Sequence, residues 1–260
     1  MTTPMRSRLL ASVVALLATA PPALDQSDIP RPEFPDPQFE RTTWQSLNGS
    51  WQFAFDDADA GLDAHWYFAG HTFDRTITVP YCFESRLSGI GDTSFHRWVW
   101  YRREITLPDS WQTRRTLLHF GAVDYQAKVW VNGQLAGSHE GGNTPFSFDI
   151  TPLLQSKTNS IVVRAFDPPE DNLIPRGKQF WEPKSKGIFY TRTSGIWQPV
   201  WLESTGAAYI DNLQIKPDPL GSVDFETVSA HAQEGDELRV SIFDGETGIA
   251  SGTALPLDLM

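Results

Sequence analysis

"AKVWVNGQLAGSHE", residues 127–140, indicates the fold more directly than the rest of the sequence. Asn132-Gly133 lies between runs of alternating apolar and polar residues, which is the strongest short-range signal of a β-hairpin. Because the side chains of a strand alternate between its two faces, Val129 and Val131 are predicted on one face and Trp130 on the other. The stretch therefore predicts a pair of antiparallel strands.

The same pattern continues on both sides of this hairpin, as short runs of Val, Ile, Thr, Phe and Trp separated by Gly, Pro, Asn and Asp. The predicted strands are residues 50–56, 75–80, 98–108, 115–123, 127–140, 145–151, 159–167 and 195–205. Short helical segments are predicted at Asp63–Phe68 and at 150–160, where Thr151 would cap the turn. Helices of crossover length are missing, so an all-β jelly-roll or two-sheet sandwich is favoured over a parallel α/β fold.

A change of composition near Thr205–Tyr209 divides the chain into a first domain, 41–205, and a second, 206–260. The second segment contains four further predicted strands, with Asp244-Gly245 as a turn. An immunoglobulin-like sandwich needs about seven strands and about 100 residues. We therefore expect a partial immunoglobulin-like domain, and a chain that is a piece of something longer.

The N-terminus resembles a targeting segment. Two arginines precede an apolar run at 9–20 and then small residues, which predicts a signal peptide at 1–24 and a secreted or periplasmic protein. The alternative, an N-terminal core helix, is disfavoured by Pro21 and Pro22. Residues 25–40 form a Pro-rich lead-in, predicted to be extended and exposed.

Composition excludes several classes of protein. The net charge of -11 and the pI of about 4.9 argue against nucleic-acid binding, and no later stretch is apolar enough to span a membrane. Cys82 is the only cysteine, so an intrachain disulfide is impossible, and a buried inert thiol is predicted. The ten tryptophans fit either a large aromatic core or surfaces that stack on sugar rings.

Several long motifs resemble those of a known family. They are LNGSWQFAFD (47–56), WYRREITLP (100–108), residues 117–151, NSIVVRAFDPPED (159–171), PRGKQFW (175–181) and GIFYTRTSGIWQPVWLE (187–203). Together they resemble, in order, the N-terminal region of glycoside hydrolase family 2, which contains β-galactosidases, β-glucuronidases and β-mannosidases. The resemblance covers about residues 40–260. It implies a sugar-binding jelly-roll domain, then an immunoglobulin-like domain, then a TIM barrel with two catalytic glutamates.

The resemblance also implies that the catalytic groups lie elsewhere, because neither barrel motif has a counterpart in these 260 residues. The acidic runs at 55–59 and 168–171 are interpreted as solvated turns, so no catalytic residue, cofactor or metal is assigned. The predicted partners are carbohydrate and the catalytic barrel of the same protein. The alternative is a stand-alone carbohydrate-binding or adhesion module.

The long connection 169–195 carries most of the candidate binding residues, and long ordered loops are usually functional. Candidates for sugar or barrel contact are Arg176, Lys178, Gln179, Trp181 and Arg192, with Glu140 and Asp92 from two other connections. Donors beside aromatic surfaces suit sugars that bear hydroxyls or carboxylates. The loop either lines the sugar pocket or joins the sandwich to the barrel, and the sequence leaves both open.

Three further motifs do not by themselves predict a metal or glycan site. Some members of the resembling family carry a loop acid just before the turn that Arg192 begins, where this chain has Phe189, Tyr190 and Thr191. His139-Glu140 is not a zinc motif, since no second His follows one helical turn later. Asn48-Gly49-Ser50 is a glycosylation sequon, which matters only in a eukaryotic secretory host.

Overall fold

The computed structural model describes residues 29–155 and 158–254, and the predicted signal peptide at 1–24 lies outside this range. The predicted all-β class is confirmed. The strands are β1 Trp44–Ser46, β2 Gly49–Phe55, β3 Arg75–Val79, β4 Trp98–Thr106, β5 Arg115–Phe120, β6 Val123–Asp124, β7 Gln126–Val131, β8 Gln134–Glu140, β9 Phe146–Asp149, β10 Thr158–Phe166, β11 Gly195–Ile196, β12 Val200–Thr205, β13 Tyr209–Pro217, β14 Val223–Ala230, β15 Leu238–Asp244 and β16 Thr247–Ala254. Short 3-10 helices form at Arg86–Ser88, Asp109–Trp111 and Thr151–Leu153.

Two antiparallel sheets form the jelly roll. One has the strand order β1-β12-β5-β9 and the other β3-β2-β4-β10-β7-β8, while β11 pairs with the short β6. The main core contains inward residues of both sheets, among them the fully buried Trp51, Tyr101, Phe120, Val163 and Leu202. Burial of this apolar surface is the main term that stabilises the sandwich.

A second, smaller cluster covers part of the outer face of the six-stranded sheet. Trp100, Trp130 and Val162 point outward from their strands and are covered by Leu62, Trp66 and Tyr67 of the connection between β2 and β3. The core interpretation of the tryptophans therefore holds for many of them, including Trp51, Trp100, Trp111, Trp130 and Trp201, each at most 6% exposed.

The predicted hairpin is confirmed as β7 and β8. Asn132 and Gly133 both have positive φ, 52° and 79°, as a two-residue primed turn requires. Val129 and Val131 lie in the main core and Trp130 lies in the outer cluster, as the alternation predicts.

Three local predictions differ from the structure. The single strand expected at 195–205 is divided into β11 and β12, because Pro199 lacks a backbone donor and interrupts the pairing. The helix expected at Asp63–Phe68 is a series of irregular turns, in which Trp66 N bonds to Gly61 O at 2.9 Å. Thr151 is the first residue of its 3-10 helix rather than the cap, and its hydroxyl bonds to Asp149 Oδ1 at 2.5 Å instead.

Hydrogen bonds of Asn48 attach the lead-in to the sandwich. Asn48 is 1% exposed, its side-chain amide donates to Pro30 O and Arg31 O, both at 3.1 Å, and its Oδ1 accepts from Val200 N at 3.0 Å. The sequon asparagine is therefore a buried tie between the lead-in and β12, and is closed to a glycosyl group.

The residues after β12 form two hairpins, β13–β14 and β15–β16, which match the four strands predicted there. They account for four of the roughly seven strands of an immunoglobulin-like sandwich. Apolar residues of both hairpins, including Phe225, Leu238, Val240 and Ile242, line a cleft of about 350 Å³ between them. Within residues 29–155 and 158–254, no helix is long and apolar enough to cross a membrane.

Candidate functional site

The 169–195 loop leaves the end of β10, folds back on itself and returns into β11. Its two arms meet where Phe180 N donates to Tyr190 O at 2.8 Å and Tyr190 N donates to Lys178 O at 3.0 Å. A cluster of three aromatic rings packs between the arms. The Phe180 ring centroid lies 4.7 Å from that of Trp181 and 5.5 Å from that of Phe189. The loop is therefore ordered by its own side chains, as functional loops often are.

Arg192 fastens the loop to the connection between β3 and β4. It is 5% exposed, and its guanidinium donates to the carbonyl oxygens of Phe180, Glu182, Thr93 and Ser94 at 2.7 to 3.4 Å. Burial lowers the pKa of this guanidinium, although the nearby Glu84 and Asp167 carboxylates oppose the effect. Arg192 thus binds backbone within the protein and does not present its charge to solvent.

Three carboxylates underneath the loop hold its other end. Asp124 accepts from Gln179 Nε2 at 2.7 Å, Asp167 accepts from the Ser194 hydroxyl at 2.6 Å, and Glu84 accepts from Ser194 N at 3.3 Å. Gln179 completes the web by accepting from Thr193 N at 2.7 Å. The three carboxylates join the loop to the sandwich, and the bond between Gln179 and Thr193 holds the two arms of the loop together.

Burial changes the acidity of these groups. Burial and the neighbouring Asp167 raise the pKa of Asp124 to about 7. Burial raises the pKa of Glu84 to about 7 as well, in spite of its hydrogen bonds from Ser194, and Glu84 Oε1 has no hydrogen-bond partner within the described part of the chain. Burial also raises the pKa of Asp167, against the charges of Arg192 and Arg176.

Two glycines make room for this web. A Cβ on Gly142 would collide with Asp124 Oδ1, and a Cβ on Gly195 would collide with the Tyr101 hydroxyl, which accepts from Ile196 N at 3.2 Å. Gly195 also has a φ of 75°, a conformation that residues with a Cβ seldom adopt. The Ser-Gly bend into β11 is therefore required by close packing against Tyr101.

The structure separates the candidate residues into two groups. Arg176 lies against the half-exposed Trp181, with its guanidinium 5.4 Å from the ring, and both line a cleft of about 360 Å³ with Glu170 and Asn172. Lys178 is exposed on the same loop. The Arg176 guanidinium also donates within the loop, to Pro169 O at 2.8 Å and Asn172 Oδ1 at 2.5 Å. Gln179 and Arg192, in contrast, bond to the sandwich and position the loop.

The remaining two candidates lie apart from the loop cleft. Glu140 is at the end of β8, where it accepts from the Tyr125 hydroxyl at 3.2 Å and from Gln126 Nε2 at 3.0 Å. Asp92 lies in the β3–β4 connection, where a hydrogen bond from Ser94 lowers the pKa of its carboxyl.

Sequence reasoning did not identify Asp124 and Asp167 as part of the site. Asp124 is the last residue of β6, and Asp167 directly follows β10. The position of an acid at the end of a strand was the sequence signal that could have identified them. Within residues 29–155 and 158–254, no three His, Cys, Asp or Glu side chains are grouped so as to hold a metal ion.

Comparison with known proteins gives a consistent result. The family model described as "Glycosyl hydrolases family 2, sugar binding domain" matches residues 44–203, which run from β1 to within β12. Among curated proteins, the chain is 32% identical over 238 residues to a β-glucuronidase of Canis lupus familiaris and 31% identical over 238 residues to one of Felis catus. Each alignment covers 80% of this chain and 36% of the relative, so the chain spans a little over a third of the length of these relatives.

Solved structures agree on the fold. An apo β-glucuronidase from Ruminococcus gnavus superposes with a TM-score of 0.67 at 22% identity, over 83% of this chain and 38% of that one. A β-glucuronidase from an uncultured Clostridium sp. gives a TM-score of 0.64 at 24% identity, over 85% of this chain and 39% of that one. At these identities the likeness concerns the fold alone.

Proposed function

Because the chain belongs to glycosyl hydrolase family 2, we propose that it is the sugar-binding, non-catalytic N-terminal part of an exported β-glycosidase. The observation that carries the proposal is the family match, which spans the whole jelly roll from β1 into β12. Residues 41–205 are the sugar-binding domain and 206–260 belong to the immunoglobulin-like domain. Residues 1–24 would direct export.

The 169–195 loop is proposed to face the catalytic barrel. Leu173, Ile188 and Tyr190 are 93%, 68% and 59% exposed, and Trp181 is 42% exposed, so one loop holds an unusual amount of uncovered apolar surface. Patches of this kind mark interaction sites in soluble proteins. The same loop carries the Arg176–Trp181 cleft, which suits a sugar bound at the edge of that interface.

Asp124, Asp167 and Glu84 invite a different hypothesis, because buried acids with raised pKa values are typical of catalytic sites. A retaining glycosidase, however, needs two carboxyls about 5 Å apart on either side of an accessible glycosidic bond. Asp124 and Glu84 are 4% and 6% exposed, and all three acids are bonded to the loop that covers them. A positioning role for these acids therefore fits the geometry better than a catalytic one.

Hydrolysis assays test the non-catalytic proposal. The relatives are named β-glucuronidases, so an aryl β-glucuronide is the first substrate to use, followed by the β-galactoside and β-mannoside. We expect no turnover by the purified chain. Turnover that copurifies with the protein and is lost in Asp124→Asn would instead assign the catalytic acids to this chain.

Calorimetry with Trp181→Ala tests the role of the loop. If the loop forms a wall of the sugar pocket, the variant should bind sugar more weakly. If the loop only contacts the barrel, the affinity for sugar should be unchanged. Leu173→Ala is a matched control, because it removes an exposed apolar side chain from the same loop. Strong sugar binding that needs Trp181 and no barrel would favour the alternative, a stand-alone carbohydrate-binding module.

A further inference from the structure

A second open surface lies on the outer face of the six-stranded sheet, where the β2–β3 connection leaves the sheet uncovered. Strand register places two rows of outward side chains there, each crossing β4, β10, β7 and β8. The first row is Trp98, Phe166, Gln126 and Glu140, and the second is Trp100, Arg164, Lys128 and Ser138. Neighbouring strands are about 4.8 Å apart, so each row is about 14 Å long.

Seven of these eight residues line a cavity of about 350 Å³, and the eighth, Trp100, is covered by the β2–β3 connection. Trp98 and Phe166 line one side, Arg164 and Lys128 the middle, and Gln126, Ser138 and Glu140 the other side. We call this surface the two-row face. It combines apolar rings with a few convergent polar groups, which is the usual composition of a small-ligand site.

Arg164 is immobilised within the two-row face. Its guanidinium lies 3.4 Å from the Trp98 ring and 5.7 Å from the Trp100 ring, and it forms an ion pair with Asp59. The side chain is 4% exposed, yet its Nε has no hydrogen-bond partner in the described residues. A planar guanidinium held in place before binding loses little entropy when it meets a carboxylate.

Lys128 is the direct cross-strand partner of Arg164 and lines the same cavity. Among residues 29–155 and 158–254 it has no ion-pair partner, and it lies next to another cation on one face of the sheet. Arg164 is already paired with Asp59, so Lys128 is the cation left in the cavity to attract an anion.

The rest of the surface indicates what kind of anion would bind. Glu140 is exposed and accepts from Gln126 Nε2 at 3.0 Å, so the far side of the cavity repels a compact, multiply charged anion but can accept hydroxyl donors. Trp98 and Phe166 stack with centroids 3.9 Å apart and present apolar surface on the near side. A chain of hydroxyl groups with one carboxylate and apolar CH faces satisfies all three requirements.

We propose that the two-row face is a second saccharide site, which binds an acidic oligosaccharide with a uronate carboxylate between Lys128 and Arg164. Gln126, Ser138 and Glu140 bond to its hydroxyls, and the Trp98–Phe166 pair covers a CH face of the neighbouring sugar. The site rests in part on the proposed sugar-binding function, but it is separate from the Arg176–Trp181 cleft. It would hold an acidic polysaccharide against the protein while another sugar unit of the same polysaccharide is presented to the catalytic site.

Calorimetry of the full chain with two matched probes tests the proposal. The first is a hexasaccharide of alternating glucuronate and N-acetylglucosamine, and the second is the same oligosaccharide after reduction of its carboxyls to alcohols. We expect binding of the acidic probe, weaker binding in 0.5 M NaCl because salt screens exposed charges, and at least tenfold weaker binding of the reduced probe. Equal affinity for both probes, or no binding of either, would overturn the proposal.

Lys128→Gln locates the site. Loss of one charge-assisted contact should weaken binding of the acidic probe by about tenfold or more. The melting temperature should stay nearly equal, because Lys128 is exposed and has no ion-pair partner among residues 29–155 and 158–254. Lys216→Gln is the matched control, since Lys216 lies on β13 and pairs with Glu226 at 2.5 Å.

Trp181→Ala separates this site from the loop cleft. If Lys128→Gln weakens binding and Trp181→Ala does not, the two-row face holds the acidic saccharide. If Trp181→Ala weakens binding and Lys128→Gln does not, the proposal is wrong while the sugar-binding role of the loop stands.

Discussion

At the scale of single residues, the most demanding position is the bend into β11. Gly195 combines a φ of 75° with a site where a Cβ would lie only 2.1 Å from the Tyr101 hydroxyl. Tyr101 is fully buried, and its hydroxyl receives the N–H of Ile196. Backbone conformation and packing thus require the same glycine, and the bend sets the direction in which the 169–195 loop enters the sheet.

We predict that Gly195→Ala destabilises the protein strongly. The positive φ should cost about 1 to 2 kcal/mol, and overpacking against Tyr101 should add about 1 to 3 kcal/mol. Gly177→Ala is the matched control, because Gly177 has a φ of 56° but open space where a Cβ would be added. Urea unfolding measures both variants, and equal destabilisation would show that the contact with Tyr101 is unimportant.

At the scale of elements, the strands could be predicted from the sequence and the anchoring of the loop could not. The β7–β8 hairpin depends on Asn132-Gly133 and on alternation, which are local properties of the sequence. The web below the loop joins Glu84, Asp124, Asp167 and Gln179, which are far apart in sequence and meet only after both sheets have formed. For the same reason Arg192 resembled a surface ligand in the sequence and is a buried anchor in the fold.

The carboxylates that anchor the 169–195 loop should make the stability of the protein depend on pH. Glu84 and Asp124 have pKa values raised to about 7, so the folded state holds protons that the unfolded chain releases near pH 4. The stability that they contribute is therefore fully present below about pH 4 and is lost as the pH rises through about 7. Each group changes the free energy of unfolding by at most about 1.4 kcal/mol per pH unit.

We accordingly expect the 169–195 loop to loosen between pH 5 and pH 8. Hydrogen exchange of its amides, corrected for the intrinsic rate, should become faster over this range, while the exchange of β7 and β10 amides stays slow. Asp124→Asn mimics the protonated acid and should reduce the pH dependence of the exchange rates. Asp224→Asn is the control, because it removes the same charge from an exposed position on β14 and should leave that dependence unchanged. The positive charges of Arg176 and Arg192 near Asp167 act in the opposite direction and limit the effect. If the protection of the loop amides does not change from pH 5 to pH 8, Glu84 and Asp124 do not control the anchoring of the loop.

At the scale of the whole molecule, one charged cluster joins the jelly roll to the segment that follows it. Arg41 donates to Glu203 Oε2 on β12 at 2.6 Å and to Ile210 O on β13 at 2.5 Å. Burial acts to raise the pKa of Glu203, but the hydrogen bond and charge of His119, with Trp201 and Arg41, more than offset it and lower the pKa. The cluster lines a cleft of about 670 Å³ that includes residues from both sides of the proposed boundary at 205.

This cluster predicts a large difference between two similar substitutions. Arg41→Met leaves the Glu203 side chain, which is 4% exposed, without its guanidinium partner, and we expect destabilisation of about 3 to 5 kcal/mol. Arg97→Met removes the same type of partner from Glu170, but those side chains are 61% and 51% exposed, and the expected cost is below about 1 kcal/mol. Urea unfolding followed by tryptophan fluorescence compares the two. Because Arg41 also holds the backbone of β13, proteolysis near residues 206–208 should become faster in Arg41→Met alone. Equal stability of both variants would mean that the cluster does not join the two parts of the molecule.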